Sequence, residues 1–362
     1  MKFKRKAFKA MRYTVSAVLL LTAVFCVCRR LPEVFSNRDT ALAAAAFTLT
    51  DGKYYAESGT LPENTQPAAE KAEEEPTAVA AAVDNTPPEK DKSGYYDSFA
   101  DHSGEAIYDI EEKTIAPMGV QVDGCYLRNY TDLSPDFNSV LTEKLPFKVD
   151  KASKDPQVLI YHTHTGEGYL DADVDYFYES YYSRTNNNGF NVVAVGDAIT
   201  AGLEKNGIKT VHDTTVHDSS YNGSYERSAQ TVLDDMEKYP GLKVVLDIHR
   251  DALGSEERKV KTVFEHDGKK GAQIMILSGC DPDNERGFEN WQNNLSLALK
   301  IQNTAEKLYP GMTRPLDFGY FAYNEYICDG SLLIEIGTDA NSIGEAEYTG
   351  SLLADVLAEV LS

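Results

Sequence analysis

Beyond residue 118 the chain is punctuated by four short apolar runs. They are Val158-Leu159-Ile160-Tyr161, Val244-Val245-Leu246-Asp247-Ile248, Ile274-Met275-Ile276-Leu277 and Leu332-Leu333-Ile334-Glu335-Ile336. Runs of this length without alternation are typical of strands buried on both faces of a parallel sheet. Between them, Asp197 to Lys205, Glu226 to Lys238, Trp291 to Leu308 and Gly344 to Leu361 repeat apolar residues every three or four positions, as amphipathic helices do. Asn206-Gly207 and Pro240-Gly241 break two of these stretches. The alternation predicts an α/β fold, a twisted and mostly parallel sheet flanked by helices, over residues 118–362. In such sheets ligands bind beyond the carboxyl ends of the strands, so residues just after each run are the first place to look for chemistry.

The N-terminal third has a different texture. Tyr13 to Cys28 is uncharged and mostly apolar, lies between Arg12 and Arg29-Arg30, and follows Lys2, Lys4, Arg5, Lys6 and Lys9. This predicts a short membrane anchor over residues 13–30, with residues 1–12 as a basic cytoplasmic tail and the rest of the chain extracytoplasmic. A cleaved leader is the weaker reading, because Arg29-Arg30 follows the segment where a small-x-small site belongs. Residues 31–117 read as an acidic, Pro- and Ala-rich linker. Glu73-Glu74-Glu75, Ala41 to Ala46 and five prolines between Pro62 and Pro88 bury too little surface to offset their ordering entropy.

Charge narrows the partners. Lys and Arg number 35 against 57 Asp and Glu, and the first 30 residues hold eight basic side chains and no acid. The formal charge of −22 therefore divides into +8 there and −30 over the remainder. So acidic a body excludes nucleic acid and polyanionic surfaces as partners recognised by charge. Beyond the apolar segment only Cys125, Cys280 and Cys328 remain, an odd number with no paired spacing, so a metal site here has to use His and carboxylate.

Two motifs supply such donors. Tyr161-His162-Thr163-His164-Thr165-Gly166-Glu167 and Asp247-Ile248-His249-Arg250-Asp251 each follow an apolar run, and together they hold three of the seven histidines. His164, Glu167 and His249 make the two-imidazole, one-carboxylate set of a catalytic zinc, which leaves a fourth position for a water whose pKa drops to about 7. Strand alternation places His162 and His164 on the same side, so His162 either replaces His164 as ligand or stands behind it as a supporting donor. Glu335, in an otherwise apolar strand, is the candidate general base, since burial moves a carboxylate toward the working range. Arg250 follows His249 and is a candidate to hold a substrate carboxylate or an oxyanion, against a salt bridge to Asp251 or another acid. His217, in His212-Asp213-Thr214-Thr215-Val216-His217-Asp218, orients a ligand or binds substrate, unless that loop is simply an exposed turn. Ser224 reads as a helix N-cap.

Taken with Val158 to Tyr169, Tyr221-Asn222-Gly223-Ser224-Tyr225, Val245 to Ala252 and Leu332 to Gly337, these motifs resemble the stage II sporulation protein P family from about Val120 to the C-terminus. The resemblance implies a zinc-dependent cell-wall hydrolase with the fold of N-acetylmuramoyl-L-alanine amidases. It implies cleavage of stem peptides from glycan strands and of peptide cross-links during engulfment in sporulation, in the space between mother cell and forespore. It further implies partnership with stage II sporulation proteins D and M, His164, Glu167 and His249 as Zn2+ ligands, and Glu335 in catalysis. Phe318-Gly319-Tyr320-Phe321-Ala322-Tyr323-Asn324, with no Arg after Arg314, departs from the basic and polar stretch the family carries there. Two other classes stay open on the residues alone: a metallocarboxypeptidase-like enzyme acting on free peptides, suggested by the His-x-x-Glu spacing, and a tethered scaffold that binds wall without cutting it.

Overall fold

The computed structural model describes residues 96–362, all within one compact unit. The expected anchor, tail and most of the linker lie outside the described residues. None of the described helices is long and apolar enough to cross a membrane. In chain order the strands are β1 (Ile107–Lys113), β2 (Val120–Val122), β3 (Cys125–Asn129), β4 (Val158–Tyr161), β5 (Tyr176–Tyr178), β6 (Thr210–His212) and β7 (Val244–Asp251). There follow β8 (Gly254–Ser255), β9 (Arg258–His266), β10 (Lys269–Ala272), β11 (Ile274–Gly279), β12 (Leu316–Gly319) and β13 (Ser331–Thr338). The helices are α1 (Phe137–Thr142), α2 (Val192–Lys205), α3 (Ser224–Lys238), α4 (Trp291–Leu308) and α5 (Ile343–Val360).

Eight strands form the main sheet in the order β2-β3-β12-β11-β13-β7-β4-β6. The four apolar runs become β11, β13, β7 and β4, side by side at its centre, where both faces are covered. Pairing is parallel except for β2 with β3 at the edge and β11 with β13 inside. The internal reversal has a local cause. A parallel return needs a crossover of a dozen or more residues, usually a helix, but β12 and β13 are joined by residues 320–330, whose one regular element is the three-residue 3-10 turn Glu325–Ile327. As a result β4, β7 and β13 run the same way and end at one edge.

Alternation along these strands sorts the side chains between two cores. Val158, Ile160, Val244, Leu246, Ile248, Leu332, Ile334 and Ile336 join the main core with α2, α4 and α5. Leu159, Tyr161 and Val245 face the opposite side, where Val232 of α3 packs. Each fully buried aliphatic side chain contributes about 1.5–3 kcal/mol. At α5, Ser342 and Glu345 close a reciprocal capping box.

Three expectations are corrected. Helix α2 starts at Val192 and not at Asp197, because Asn191 caps the Val193 N–H and Val192 to Val195 are buried all round, which hides the helical period. Gly223, at φ 80°, takes the N-cap position of α3, leaving the Ser224 hydroxyl for another partner. Strand β1 lies inside the stretch assigned by composition to the linker. It is held by antiparallel pairing to β5 and parallel pairing to β9, in a second small sheet ordered β10-β9-β1-β5.

One buried acid should make stability depend on pH. Asp235 of α3 is buried, and that burial, the neighbouring Asp213 and Asp234, and only partial relief from Lys238 push its pKa up to about 7. The folded chain therefore keeps a proton that the unfolded chain releases near pH 4. The stability held below that point is lost as pH rises through 7. Asp235→Asn should flatten the decline in thermal midpoint between pH 5 and 8; equal slopes in wild type and variant would refute the assignment.

Candidate metal centre

The site is assembled at the shared carboxyl edge of β4, β7 and β13. On β7, Asp247 and His249 share the parity of Val245 and so project on the α3 face. Strand β13 lies parallel to β7 with Glu335 directly opposite His249, so the two side chains leave the sheet together. Just past Glu335 the pairing slips at Gly337, whose φ is 64°; a Cβ there would lie 2.6 Å from Asn341 Oδ1 and 2.7 Å from Ala272 Cβ. A glycine is needed for this irregularity, after which pairing resumes at Thr338 and Asp251.

Strand β4 ends at Tyr161, and the chain then turns, the Glu167 N–H donating to the His164 carbonyl at 3.0 Å. That turn brings His164 and Glu167 beside His249. Glu167 Oε2 lies 3.3 Å from His249 Nδ1. This is the spacing of two donors each about 2.0–2.1 Å from one tetrahedral ion. The imidazoles of His164 and His249 lie 5.3 Å apart, centre to centre, at 84°. Two rings on such an ion stand about 5 Å apart. His164 also stacks on Tyr221 at 4.6 Å and has its Nδ1 3.4 Å from Ser224 Oγ. The three donors are not closed on one point. Among the described residues, the group of three metal-type donors whose ligand atoms all lie within 4.8 Å of one another is Glu112, Asp173 and Glu345, and there the Lys261 ammonium already sits among the carboxylates.

Electrostatics favour a cation between the carboxylates. Burial opposes charge on His249, but Asp247 and Glu167 outweigh it and hold its pKa well above the ordinary imidazole value. Burial likewise works against Glu167, and His249 and Arg250 overcome it, keeping the carboxylate ionised. The proton at His249 Nδ1 thus sits beside Glu167, where a divalent cation would meet the same carboxylate, while Asp247 stands at Nε2. Burial pushes His164 down to about 3, only partly offset by Glu167, so its imidazole is neutral and able to ligate. The donor types, their burial and the 3.3 Å pair fit zinc.

The remaining candidates sit elsewhere. His162 points to the opposite side of the sheet from His164, because the alternation that would have kept them together stops at Tyr161. Its Nδ1 donates to the Ile248 carbonyl at 2.9 Å, and its Nε2 meets His212 Nε2 at 2.8 Å. Helix α2 crosses so closely that a Cβ on Gly196 would lie 2.5 Å from His212 and 2.9 Å from His162. His217 is buried and not in an exposed turn, its nitrogens bonded to the His162 carbonyl (2.7 Å) and Thr231 Oγ1 (2.9 Å). Arg250 is not free for a substrate carboxylate or an oxyanion. Its guanidinium donates to the carbonyls of Gly168 (3.1 Å) and Ser183 (2.6 Å), its backbone N–H donates to Glu167 Oε2 (3.1 Å), and Asp251 pairs with Arg314. Arg250 therefore fastens the loop that carries Glu167.

Sequence reasoning gave Asp247 no role. Its Oδ1 lies 2.9 Å from His249 Nε2 and accepts the Thr163 N–H at 2.8 Å, while Oδ2 accepts the Thr163 hydroxyl at 2.6 Å. A carboxylate two residues before a ligand in one strand was the available signal, since both then share a face.

Comparison with known proteins decides the lineage. The family model for stage II sporulation protein P matches residues 43–358. The chain belongs to the stage II sporulation protein P family. It is 30% identical over 246 residues to stage II sporulation protein P of Bacillus subtilis (strain 168), an alignment covering 60% of this chain and 56% of that protein. The chain thus spans little more than half the length of this relative. Two solved amidases are similar in part. N-acetylmuramoyl-L-alanine amidase AmiC2 of Nostoc punctiforme is 13% identical, covering 58% of this chain and 97% of its own, with a TM-score of 0.33. N-acetylmuramoyl-L-alanine amidase from Clostridium difficile 630 is 16% identical, covering 58% and 96%, with a TM-score of 0.34.

In this member of the stage II sporulation protein P family, Asp247 offers a direct test of the centre. Carboxylates behind a ligating histidine set its tautomer and basicity, and their loss typically weakens metal binding 10- to 100-fold. Asp247→Asn is expected to lower zinc affinity by about that factor in a competition titration with a chromophoric chelator. Unchanged affinity would place the metal away from His249.

Proposed function

We propose that this chain is a zinc-dependent peptidoglycan hydrolase of sporulation. Its activity is that of an N-acetylmuramoyl-L-alanine amidase with endopeptidase action on cross-links. It remodels septal wall during engulfment from an extracytoplasmic position behind an N-terminal membrane anchor, alongside stage II sporulation proteins D and M. The observation that carries this reading is the pairing of His249 Nδ1 with Glu167 Oε2 at 3.3 Å, with Glu335 opposite His249 in the neighbouring strand. Membership of the family supports the substrate class, and the amidase names of the similar solved structures agree with it.

His164, Glu167 and His249 would hold the ion. When bound, zinc acts as a Lewis acid on the scissile carbonyl and acidifies a water. The chain supplies the proton transfers. A Glu335 carboxylate oxygen takes a proton from the attacking water and returns it to the nitrogen of the leaving amine as the C–N bond breaks, leaving an acid and an amine. Asp247, 2.9 Å from His249 Nε2, is the carboxylate placed to pair with that imidazole, and Arg250 holds Glu167 through its backbone N–H and its grip on Gly168 and Ser183. Thr163, bonded to both oxygens of Asp247, ties the turn after β4 to β7, so both donor segments move as one body.

Purified peptidoglycan incubated with the full chain should release free stem peptides and split cross-links, measured by product masses. Chelator should stop both, and added zinc should restore them. Digestion that persists with less than about a tenth of an equivalent of metal would overturn the reading.

A further inference from the structure

The metal centre is continued on one side by a row of aromatic rings that the proposed chemistry does not use. Tyr225, in the first turn of α3, stands edge-on to His164 at 5.6 Å and parallel to His249 at 6.5 Å. Tyr323 lies 5.4 Å from Tyr225, and Phe321 4.9 Å from Tyr323. All three rings are half-buried, so part of each is open to solvent. The row is held by an unusual backbone: Tyr323 and Asn324 have φ of 35° and 63°, a conformation two successive non-glycine residues adopt only when their surroundings impose it. Asn324 supplies that restraint, its side-chain amide donating to the Tyr225 carbonyl and to Ser228 Oγ, both at 3.0 Å. Ring row and metal donors are thereby joined into one surface.

We infer that Tyr225, Tyr323 and Phe321 form a saccharide subsite that stacks N-acetylhexosamine rings of the glycan strand leading away from the scissile amide. This rests on the peptidoglycan reading above. The amide to be cut has an uncharged glycan on one side and a peptide bearing carboxylates on the other. The two flanks of His164 differ in the same sense. On the far flank, Tyr221 carries the Arg184 guanidinium 5.8 Å above its ring, and Arg184 is paired with Asp218, a charged environment suited to a peptide. On the near flank the surface is built of neutral rings. An aromatic face is electron-rich, and the flat face of a pyranose presents a patch of polarised C–H bonds to it while its hydroxyls stay in water. The segment Phe321 to Asn324 therefore provides a sugar platform where a basic contact was expected.

The test measures binding and turnover separately. An N-acetylglucosamine oligosaccharide, which has no amide for the enzyme to cut between sugar and peptide, is titrated into the full chain, and a free stem peptide is titrated in parallel. Loss of one stacked ring is expected to weaken the oligosaccharide roughly 2- to 12-fold, so Tyr323→Ala should do so, with the Phe321→Ala/Tyr323→Ala pair weaker still. Tyr323→Phe should restore binding, and Tyr323→Leu, which keeps apolar bulk without an aromatic face, should not. Stem-peptide affinity should not change. On soluble uncross-linked strands the loss should fall on KM. Oligosaccharide that binds wild type and the double variant equally, or not at all, while the chain digests peptidoglycan would overturn the subsite and leave the hydrolase reading standing. Loss of peptide affinity in place of sugar affinity would overturn it too. A chain that binds the sugar but never cuts peptidoglycan would refute the hydrolase reading alone.

Discussion

His164→Ala is expected to take the metal content of the purified chain below about a tenth of an equivalent and to abolish release of stem peptides, while His162→Ala keeps its metal. The two histidines are separated by one residue, yet they lie on opposite sides of the sheet. His164 stands 5.3 Å from His249, ring centre to ring centre, and His249 meets Glu167 at 3.3 Å. His162 has both nitrogens engaged behind the sheet, with Ile248 and His212, and burial pushes its pKa down to about 3. Losing it strands a buried carbonyl and a buried imidazole, at about 1–3 kcal/mol for each unsatisfied group. His162→Ala should therefore lower the thermal midpoint without changing zinc stoichiometry, whereas His164→Ala should lose the zinc and with it only the stability that bound metal confers. Metal analysis and thermal melts on the two variants check this. Zinc retained by His164→Ala and lost from His162→Ala would invert the assignment.

Glu335→Gln should leave metal stoichiometry and thermal midpoint close to wild type and lower kcat on peptidoglycan about 10²- to 10⁴-fold, the range lost with a general acid–base group. At about 1.36 kcal/mol per tenfold, that is roughly 3–5 kcal/mol of barrier. The amide keeps the shape of the side chain between β7 and β11, where Glu335 pairs with His249 on one side and Met275 on the other. Structure is thus preserved while the proton acceptor is removed. Because the same group serves both the amide to muramic acid and the cross-link, both activities should fall by the same factor. Should one survive, the two reactions would need different bases.

Much of this was readable along the chain because burial leaves a pattern in hydropathy. Helix α4 spans Trp291 to Leu308, as its period predicts, and β4 coincides with its apolar run, since each is covered where the pattern says. Strands β3, β6 and β12, outside the central four, are short and carry polar residues such as Arg128, His212 and Asp317, so no run announces them. Strand β1, with Asp109, Glu111, Glu112 and Lys113 in seven residues, looks like linker until β5 and β9 pair with it.

The sequence by itself determined which elements exist at the centre of the sheet and which donor types stand at their ends, because both depend on residue kind and local period. Tertiary structure decided the rest. Which of His162 and His164 faces His249 depends on where β4 stops and the chain turns, because alternation carried on past Tyr161 would have kept both on one side. That Arg250 serves Glu167, that Asp247 holds His249, and that Phe321 and Tyr323 line up with Tyr225 are all long-range contacts, set when β4, β7 and β13 are brought to one edge. Hydropathy records that a residue is buried. It carries no information on what the residue is buried against, and in this chain that partner separates a ligand from a support.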